Sequence, residues 1–246
     1  MNTSISTLQK TILITGASAG IGEGVARVAA AAGAKLVLGA RRGDRLQILA
    51  EEIRRAGGTV EYMPLDVTSR EEMQGFAAFA QERFGRIDVL VNNAGVMPLS
   101  PMRSLKVDEW DRMIDVNIRG VLYGIAAVLP LMEAQESGHI INVSSVGGLS
   151  VSPTAAVYCA TKYAVRAISD GLRQENDKLR VTCVYPGVVE SELASTITDP
   201  EAIELMRTYR QIAIKPEAIG RAILHAITQP EDVDTNEIVV RPTATR

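Results

Sequence analysis

Cysteine, histidine and tryptophan are scarce in this sequence of 246 residues, and their scarcity excludes several classes of protein. The two cysteines, Cys159 and Cys183, cannot build a disulfide scaffold or a four-cysteine zinc site. The two histidines, His139 and His225, lack the spacing to cysteine or carboxylate residues that zinc sites show. We therefore expect no bound metal and structural roles for both histidines. Without a sign of an oxidising compartment, we expect a cytoplasmic protein.

Positive charge is not in excess, and no apolar run is long. Lysine and arginine number 26 against 29 acidic residues, which argues against a broad basic surface for nucleic acid. The first ten residues, MNTSISTLQK, lack the apolar core of a signal peptide. The apolar run Gly120–Met132 is too short to cross a bilayer, so we expect it to be buried by packing or at a subunit contact. Neither nucleic acid nor a membrane is an expected partner.

Short apolar segments alternate with helical periodicity along the whole chain. The predicted strands are Thr11–Thr15, Lys35–Ala40, Thr59–Leu65, Ile87–Asn92, His139–Ser144, Arg180–Tyr185 and Ile238–Arg241. The predicted helices are one that ends near Gly33, then Asp44–Ala56, Ser69–Phe84, Asp108–Glu136, Ala155–Asn176 and one around Pro200–Arg210.

Strands that are almost continuously Val, Ile and Leu indicate a parallel sheet with helices on both faces. No linker or internal repeat divides the sequence, so we predict one doubly wound α/β domain over residues 1–246, with residues 1–9 as a tail. Residues 186–213, which follow a predicted strand end, form a candidate lid over a binding site.

A glycine-rich turn, TGASAGIG at Thr15–Gly22, connects the first predicted strand to the first helix. Glycines allow a backbone to approach a pyrophosphate, and the N-terminus of a helix presents free N–H groups to it. The turn therefore predicts a dinucleotide site. A tight turn without a ligand would also use glycines.

The end of the second strand bears on the choice between NAD(H) and NADP(H). A carboxylate about 20 residues beyond the glycine motif would bind the ribose 2′-hydroxyl and repel a 2′-phosphate. This position is Ala40, and Arg41 and Arg42 follow it. Guanidinium groups bind phosphate through forked, charge-assisted hydrogen bonds, so the pair favours NADP(H) over NAD(H). A solvated loop would also carry such arginines, and Arg42 in particular fits that reading.

Tyr158 and Lys162 are four residues apart on a predicted helix, so both side chains lie on one face. A phenol has a pKa near ~10, and a neighbouring ammonium group is expected to lower it. Such a tyrosine can exchange a proton with a carbonyl oxygen or an alcohol. Ser144 and Ser145 end the fifth predicted strand, and because adjacent strand residues point opposite ways, one of them faces the site.

Four motifs in order carry a resemblance to a known family: TGASAGIG, NNAG at Asn92–Gly95, YCATK at Tyr158–Lys162 and PG at Pro186–Gly187. In their spacing, the sequence resembles the short-chain dehydrogenase/reductase family. The resemblance spans Lys10 to Pro242 and implies a Rossmann-like fold. The ARR turn and the C-terminal EIVVRPT are similar to clavulanic acid dehydrogenase and the NADP-dependent 3-hydroxy acid dehydrogenases within that family.

The resemblance implies four catalytic residues. Ser145, 13 residues before the tyrosine, would hold the substrate oxygen, and Ser144 would be structural. Asn117, 41 residues before the tyrosine, would lie in a distorted helical turn and hold a water for a proton relay to Lys162. Tyr158 would exchange the proton, and Lys162 would also bind the nicotinamide ribose.

The implied cofactor is NADP(H). Its expected contacts are Gly16, Ser18, Gly20, Ile21, Gly22, Arg41, Arg42, Asp66, Val67, Asn93, Ala94, Gly95, Tyr158, Lys162, Pro186, Gly187, Val189 and Ser191. Asp66 and Val67 would contact the adenine, and Ser191 the nicotinamide carboxamide.

The expected substrate contacts are Val96, Met97, Ser145, Val146, Val188 and Glu190. Their largely apolar character favours a hydrophobic ketone or secondary alcohol. Glu190 either meets a cationic or hydroxyl-bearing substrate or is solvent-exposed. Two alternatives stay open, which are reduction of an acyl-carrier-protein thioester and a non-catalytic nucleotide sensor of the same fold. The resemblance also implies a homo-oligomer, either a tetramer or a dimer.

Overall fold

Seven parallel strands form one sheet in the computed structural model, which describes residues 8–245. The strands are β1 (Thr11–Thr15), β2 (Lys35–Ala40), β3 (Thr59–Pro64), β4 (Val89–Asn92), β5 (Gly138–Val143), β6 (Leu179–Pro186) and β7 (Glu237–Val240). Their order across the sheet is β3-β2-β1-β4-β5-β6-β7, and each neighbouring pair is parallel. The order reverses between β1 and β4, and in such sheets ligands bind outside the carboxyl ends of the strands at that point.

Helices cover both faces of this sheet. They are α1 (Gly20–Ala31), α2 (Gly43–Arg55), α3 (Arg70–Phe84), α4 (Val107–Ile114), α5 (Gly120–Ala134), α6 (Ala156–Glu175), α7 (Pro200–Tyr209) and α8 (Pro216–Ile227). One apolar core joins the sheet to α1, α2 and α8, and a second joins it to α3, α5 and α6. The predicted doubly wound α/β fold is confirmed.

Helix α8 is absent from the elements predicted above. Pro216 begins it, and Ile219 and Ile223 turn one apolar face into the core. It packs closely on α1 because two glycines leave room for the contact. A Cβ atom at Gly24 would lie 2.7 Å from Pro216, and one at Gly220 would lie 2.8 Å from the Gly24 carbonyl oxygen. The apolar spacing along this segment is the signal that would have identified it.

Helices α4 and α5 run on as one helical segment through a π-helical turn at Asp115–Arg119. The segment Val107–Ala134 is long and apolar enough, by length and composition alone, to span a membrane, and 33% of its most apolar window is buried inside the protein. This segment is longer than the apolar run Gly120–Met132 because α4 and the π-helical turn precede that run in the same helix. The absence of a membrane partner stays a prediction.

His139, at the start of β5, is buried between strands with one ring nitrogen unpaired. The Thr182 hydroxyl donates to the Thr235 carbonyl over 2.7 Å, so it accepts a hydrogen bond from His139 Nε2, 2.7 Å away. The Nδ1 atom has no hydrogen-bond partner among the described residues. Burial is the main cause that lowers the pKa of His139 to about 3, with Arg180 and Lys10 adding repulsion. The histidine is therefore neutral in the folded protein near pH 7.

We expect this burial to make stability depend on pH. Because the folded pKa of His139 lies below the unfolded value of 6.5, the unfolded chain takes up a proton first as pH falls from 6.5 towards 3. This proton alone lowers the free energy of unfolding by up to about 1.4 kcal/mol per pH unit in that window. The free energy of unfolding, measured with urea between pH 4 and 7.5, should depend less steeply on pH for His139→Gln than for the wild type. The exposed His225 offers a matched control, since His225→Gln should keep the wild-type slope; equal slopes for all three proteins would contradict the prediction.

Candidate active site

A cavity of about 1040 Å³ opens at the carboxyl edge of the sheet, where the strand order reverses. This volume lies at the upper end of the range of about 300–1,000 Å³ found for ligand and cofactor sites. All the predicted site residues line this cavity except Gly22, Asn117 and Glu190. The structure therefore brings the predicted cofactor, catalytic and substrate positions together.

The glycine-rich turn leaves backbone where side chains would otherwise be. Gly16 has a φ of +66°, and a Cβ atom there would lie 2.8 Å from the Ala94 Cα. Gly22 lies outside the cavity because its own Cβ would meet the Gly16 carbonyl oxygen at 2.5 Å, so it packs the turn instead of touching a ligand. Ala19 caps α1 without a side-chain hydrogen bond, which leaves the first N–H groups of α1 available to an anion. The turn fits a pyrophosphate.

Thr15 and Asn93 join the ends of β1 and β4 below the cavity. The Thr15 hydroxyl oxygen accepts hydrogen bonds from the backbone N–H groups of Asn93 and Ala94, at 3.0 and 3.1 Å. The Asn93 amide donates in return to the carbonyl oxygens of Thr15 and Gly16, at 2.9 and 3.2 Å. The glycine turn and the NNAG segment are thus one hydrogen-bonded unit. Thr15 is a positioning residue that the sequence reasoning did not select.

Two arginines follow β2 on the nucleotide side of the cavity. The exposed Arg41 has no hydrogen-bond or ion-pair partner within residues 8–245. Arg42 donates to the Ser18 hydroxyl from Nε and Nη2, at 3.2 and 3.1 Å. Asp66 accepts hydrogen bonds from the backbone and hydroxyl of Thr68, which lower its pKa, and Arg41 adds a smaller lowering effect. The arginines place two positive charges at the end of β2.

Tyr158, Lys162 and Ser145 meet at the centre of the cavity. Tyr158 lies in the first turn of α6 and Lys162 one turn later, with the ammonium 5.8 Å from the centre of the tyrosine ring. Lys162 Nζ donates to the Val143 carbonyl oxygen at 3.0 Å. The Ser145 hydroxyl accepts a hydrogen bond from the Gly147 backbone at 3.1 Å. Ser144 faces α6 instead and donates to the Lys162 carbonyl oxygen at 2.9 Å, which confirms that the two serines point opposite ways.

Burial decides the protonation of this pair. Loss of solvent raises the pKa of Tyr158 to about 12, although the Ser145 side chain opposes the rise. Loss of solvent also lowers the pKa of Lys162 to about 8. The prediction of a lowered pKa for Tyr158 is therefore wrong for this structure, because desolvation dominates. The Tyr158 phenol is therefore neutral near pH 7.

Asn117 lies behind the cavity in the π-helical turn. Its side-chain oxygen accepts from the Val96 N–H at 2.9 Å, and its amide nitrogen donates to the Val96 carbonyl at 3.0 Å and to Thr161 Oγ1 at 3.1 Å. The Thr161 hydroxyl donates in turn to the Tyr158 carbonyl oxygen at 2.7 Å. The distorted turn is present as the resemblance implied, and Asn117 connects the NNAG segment to α6. The proton relay through a water stays a prediction.

The substrate side of the cavity is apolar. A hydrophobic cluster there unites the segment after NNAG with α4, α6 and the lid, and it contains Val96, Met97, Leu99, Met113, Tyr158, Ile197 and Ala202, with Trp110, Leu193 and Met206 packed against it. The sequence analysis predicts Val96 and Met97 as substrate contacts and residues 186–213 as a lid, and the lid range includes Leu193, Ile197, Ala202 and Met206. The middle of the lid is held by an ion pair between Arg103 and Glu201 and by a hydrogen bond from Ser104 to Asp199 at 3.1 Å.

Glu190 does not lie where a substrate contact was expected. Its carboxylate pairs with Lys215 Nζ at 2.6 Å, and both side chains are exposed outside the cavity. The reason is a short parallel bridge between Val189 and Ile214, which turns the Glu190 side chain away from the cavity. The alternative of a solvent-exposed residue is the correct one.

Comparison with known proteins agrees with this architecture. A family model described as short chain dehydrogenase matches residues 10–202. An uncharacterised oxidoreductase of Staphylococcus saprophyticus is 50% identical over 239 residues, which is 96% of both chains. An alcohol dehydrogenase from Thermococcus sibiricus, solved with 5-hydroxy-NADP, has a TM-score of 0.88 at 32% identity and covers 97% of this chain and 99% of its own. A short-chain dehydrogenase/reductase from Burkholderia phymatum, solved with NAD, has a TM-score of 0.86 at 26% identity, over 95% and 89% of the two chains.

One family is indicated by four findings: the glycine turn, the NNAG segment, the buried Tyr158–Lys162 pair and the match of the family model. Similar solved structures carry nicotinamide nucleotides, NADP-type in one case and NAD in another. The protein belongs to the short-chain dehydrogenase/reductase family of oxidoreductases.

Proposed function

We propose that this protein is an NADP(H)-dependent oxidoreductase that interconverts a ketone and a secondary alcohol. The observation that carries the proposal is the meeting of a neutral, buried Tyr158 with Ser145 and Lys162 in the cavity beside the glycine turn. A proton donor is needed where the carbonyl oxygen gains negative charge. A protein that only senses a nucleotide has no use for one.

The preference for NADP(H) is argued from the end of β2. Ala40 stands where a carboxylate would bind the 2′-hydroxyl of NAD, and the guanidinium of Arg41 is available to a 2′-phosphate. The Thermococcus alcohol dehydrogenase, solved with an NADP derivative, supports this preference, whereas the Burkholderia protein was solved with NAD. The proposed preference for NADP(H) therefore rests on the arginines of this chain.

The proposed mechanism assigns a task to each catalytic side chain. The bound cofactor supplies a hydride, and the protein controls the oxygen and the proton. Ser145 and Tyr158 hold the carbonyl oxygen, and Tyr158 transfers its phenolic proton to that oxygen as the carbon is reduced. Lys162, as an ammonium group, stabilises the phenolate that remains and binds the nicotinamide ribose. Alcohol oxidation runs the same proton transfer backwards.

The substrate class follows from the apolar cluster under the lid. Val96, Met97 and Val146 line the cavity near Tyr158, and lid residues Leu193 and Met206 lie across from them. We propose a hydrophobic ketone or secondary alcohol of small size. With Glu190 directed to Lys215, the argument for a cationic substrate is lost.

We also propose that the protein is a cytoplasmic homo-oligomer with no nucleic acid or membrane partner. Leu122 on α5 is 43% exposed and Val239 on β7 is 50% exposed. Packing of copies through these elements would cover apolar side chains, including the exposed part of the long helical segment 107–134.

The first prediction concerns Tyr158. Purified protein should oxidise NADPH, followed at 340 nm, with members of a panel of ketones, keto esters and a 3-oxoacyl thioester. Tyr158→Phe should reduce kcat by about 10²- to 10⁴-fold because the proton donor is lost. Tyr163→Phe, on the same helix at a half-exposed position, is the matched control and should keep wild-type activity. Turnover of Tyr158→Phe near the wild-type rate would refute the assignment, and reduction of the thioester alone would favour that alternative.

The second prediction concerns pH. Because the pKa of Lys162 is lowered to about 8, its ammonium form is lost as pH rises through that value. Tyr158, with a pKa of about 12, stays protonated over the same range. Ketone reduction should therefore be level below about pH 7 and fall above about pH 8, approaching tenfold per pH unit. In Lys162→Arg, which stays charged, the fall should vanish although the absolute rate is lower. An unchanged inflection in Lys162→Arg would assign it to another group.

The third prediction concerns assembly. Light scattering should give a molar mass of two or four chains at micromolar concentration. Leu122→Glu should lower that mass because the charge would have to be buried at the contact. A monomeric wild-type protein would contradict the proposal.

A further inference from the structure

Glu192, near the start of the lid, places its carboxylate on two arginines from the other side of the cavity. One carboxylate oxygen lies 2.5 Å from Arg42 Nη1, and the other lies 2.6 Å from Arg45 Nη1. These residues are about 150 positions apart in the sequence, so the contact joins the lid to the start of α2. The two guanidinium groups hold the pKa of Glu192 below its usual value, so the carboxylate is charged.

Of the two arginines that contact Glu192, Arg42 lies on the side of the cavity that holds the glycine-rich turn. Arg42 follows directly on Arg41 after β2, and it also donates to the hydroxyl of Ser18 in the glycine-rich turn at 3.1 and 3.2 Å. Ser18, Arg42 and Glu192 all line the cavity. Two guanidinium groups around one carboxylate form the kind of donor set that also binds a phosphate.

We propose that Glu192 is a specificity-determining residue that takes the place of the 2′-phosphate of NADP(H) on Arg42 and Arg45. A nucleotide with a 2′-phosphate must displace the Glu192 carboxylate, whereas a nucleotide without it leaves Glu192 bound to the arginines. This inference rests on the proposed preference for NADP(H). It adds that Arg42 and Arg45 bind the lid through Glu192 when no 2′-phosphate is bound.

Charge and exposure make the displacement feasible. The side chains of Arg42 and Glu192 are 43% and 49% exposed, and ion pairs of such exposure are weak. A phosphate monoester carries more negative charge than a carboxylate and offers three acceptor oxygens to guanidinium forks. Arg41, which has no partner within residues 8–245, adds a further donor for the phosphate but not for Glu192.

Displacement of Glu192 would free the beginning of the lid. Ser191, its neighbour, lies against the glycine turn, since a Cβ atom at Gly20 would be 3.0 Å from the Ser191 Cβ. Arg210 Nη2 donates to the Ser191 carbonyl at 2.7 Å, which connects the beginning of the lid to the residue that follows α7. Trp110, the single tryptophan of the chain, packs against the apolar cluster that contains the lid residues Ile197 and Ala202. Its fluorescence emission should therefore depend on the position of the lid.

The test compares two nucleotide fragments that differ by the 2′-phosphate. Binding of 2′,5′-ADP and 5′-ADP to the full chain is measured by calorimetry for wild type, Glu192→Gln and Glu204→Gln. Glu204 is a matched control because it is an exposed lid glutamate paired with an arginine, Arg207, outside the cavity. Glu192→Gln should bind 2′,5′-ADP about three- to tenfold more tightly than wild type, the worth of one or two exposed ion pairs, with 5′-ADP unchanged. Glu204→Gln should match wild type with both ligands.

Trp110 emission, excited at 295 nm, gives the second readout. Addition of 2′,5′-ADP to wild type should shift the emission, 5′-ADP should leave it unchanged, and Glu192→Gln should show the shifted emission before any ligand is added. Thermal unfolding of each variant confirms that it is folded.

The outcomes separate this inference from the proposed function. If neither wild type nor Glu192→Gln prefers 2′,5′-ADP over 5′-ADP, the NADP(H) preference itself fails. If wild type prefers 2′,5′-ADP and Glu192→Gln keeps the same ratio of affinities, the role of Glu192 alone is refuted. Weaker binding of both fragments by Glu192→Gln would show that Glu192 supports the site instead of competing for it. Constant Trp110 emission would refute release of the lid.

Discussion

The reciprocal hydrogen bonds between Thr15 and Asn93 hold together the two strands between which the cavity opens. A parallel sheet whose order reverses separates its loops at that point, and a ligand can enter only if the strand ends stay in register. The Thr15 hydroxyl and the Asn93 amide meet this need by satisfying backbone groups of the opposite strand. With the two strand ends fixed, the glycine turn faces the nucleotide and the NNAG segment reaches Asn117 through Val96.

From this point a short series of contacts extends to Tyr158. Val96 binds Asn117, Asn117 binds Thr161, and Thr161 binds the carbonyl of Tyr158. Each contact is buried, and in a low-dielectric interior such hydrogen bonds hold geometry well. The same burial makes the pKa of Tyr158 rise and that of Lys162 fall. The buried contacts therefore fix the position of Tyr158, and the same burial keeps its phenol neutral near pH 7.

Much of this arrangement is predictable from the sequence because it depends on local patterns. The Val, Ile and Leu runs of the strands and the i,i+4 spacing of Tyr158 and Lys162 require no knowledge of distant contacts. The opposite orientations of Ser144 and Ser145 follow from strand geometry alone. The π-helical turn at Asn117 does not follow from periodicity, and only the family resemblance indicated a distortion there.

The features that escaped prediction depend on long-range packing. Helix α8 is an exception, because the spacing of Ile219 and Ile223 along the chain is a local signal for it. The pKa of Tyr158 was misjudged because spacing reveals a neighbouring lysine but not the loss of solvent. The direction of Glu190 is set by a bridge to Ile214, which no local pattern shows. The contact of Glu192 with Arg42 requires the path of the lid through space.

Both ends of the lid are attached to the same helix. Ser191 lies against Gly20 at the beginning of α1, and Pro216 lies against Gly24 one turn later. Because both contacts are made with one helix, residues between them can be lengthened, shortened or exchanged at the modest entropic cost of a longer loop. The nucleotide-binding turn would keep its geometry through such changes. A chain built in this way can acquire new substrates by remodelling one segment, with its cofactor chemistry left intact.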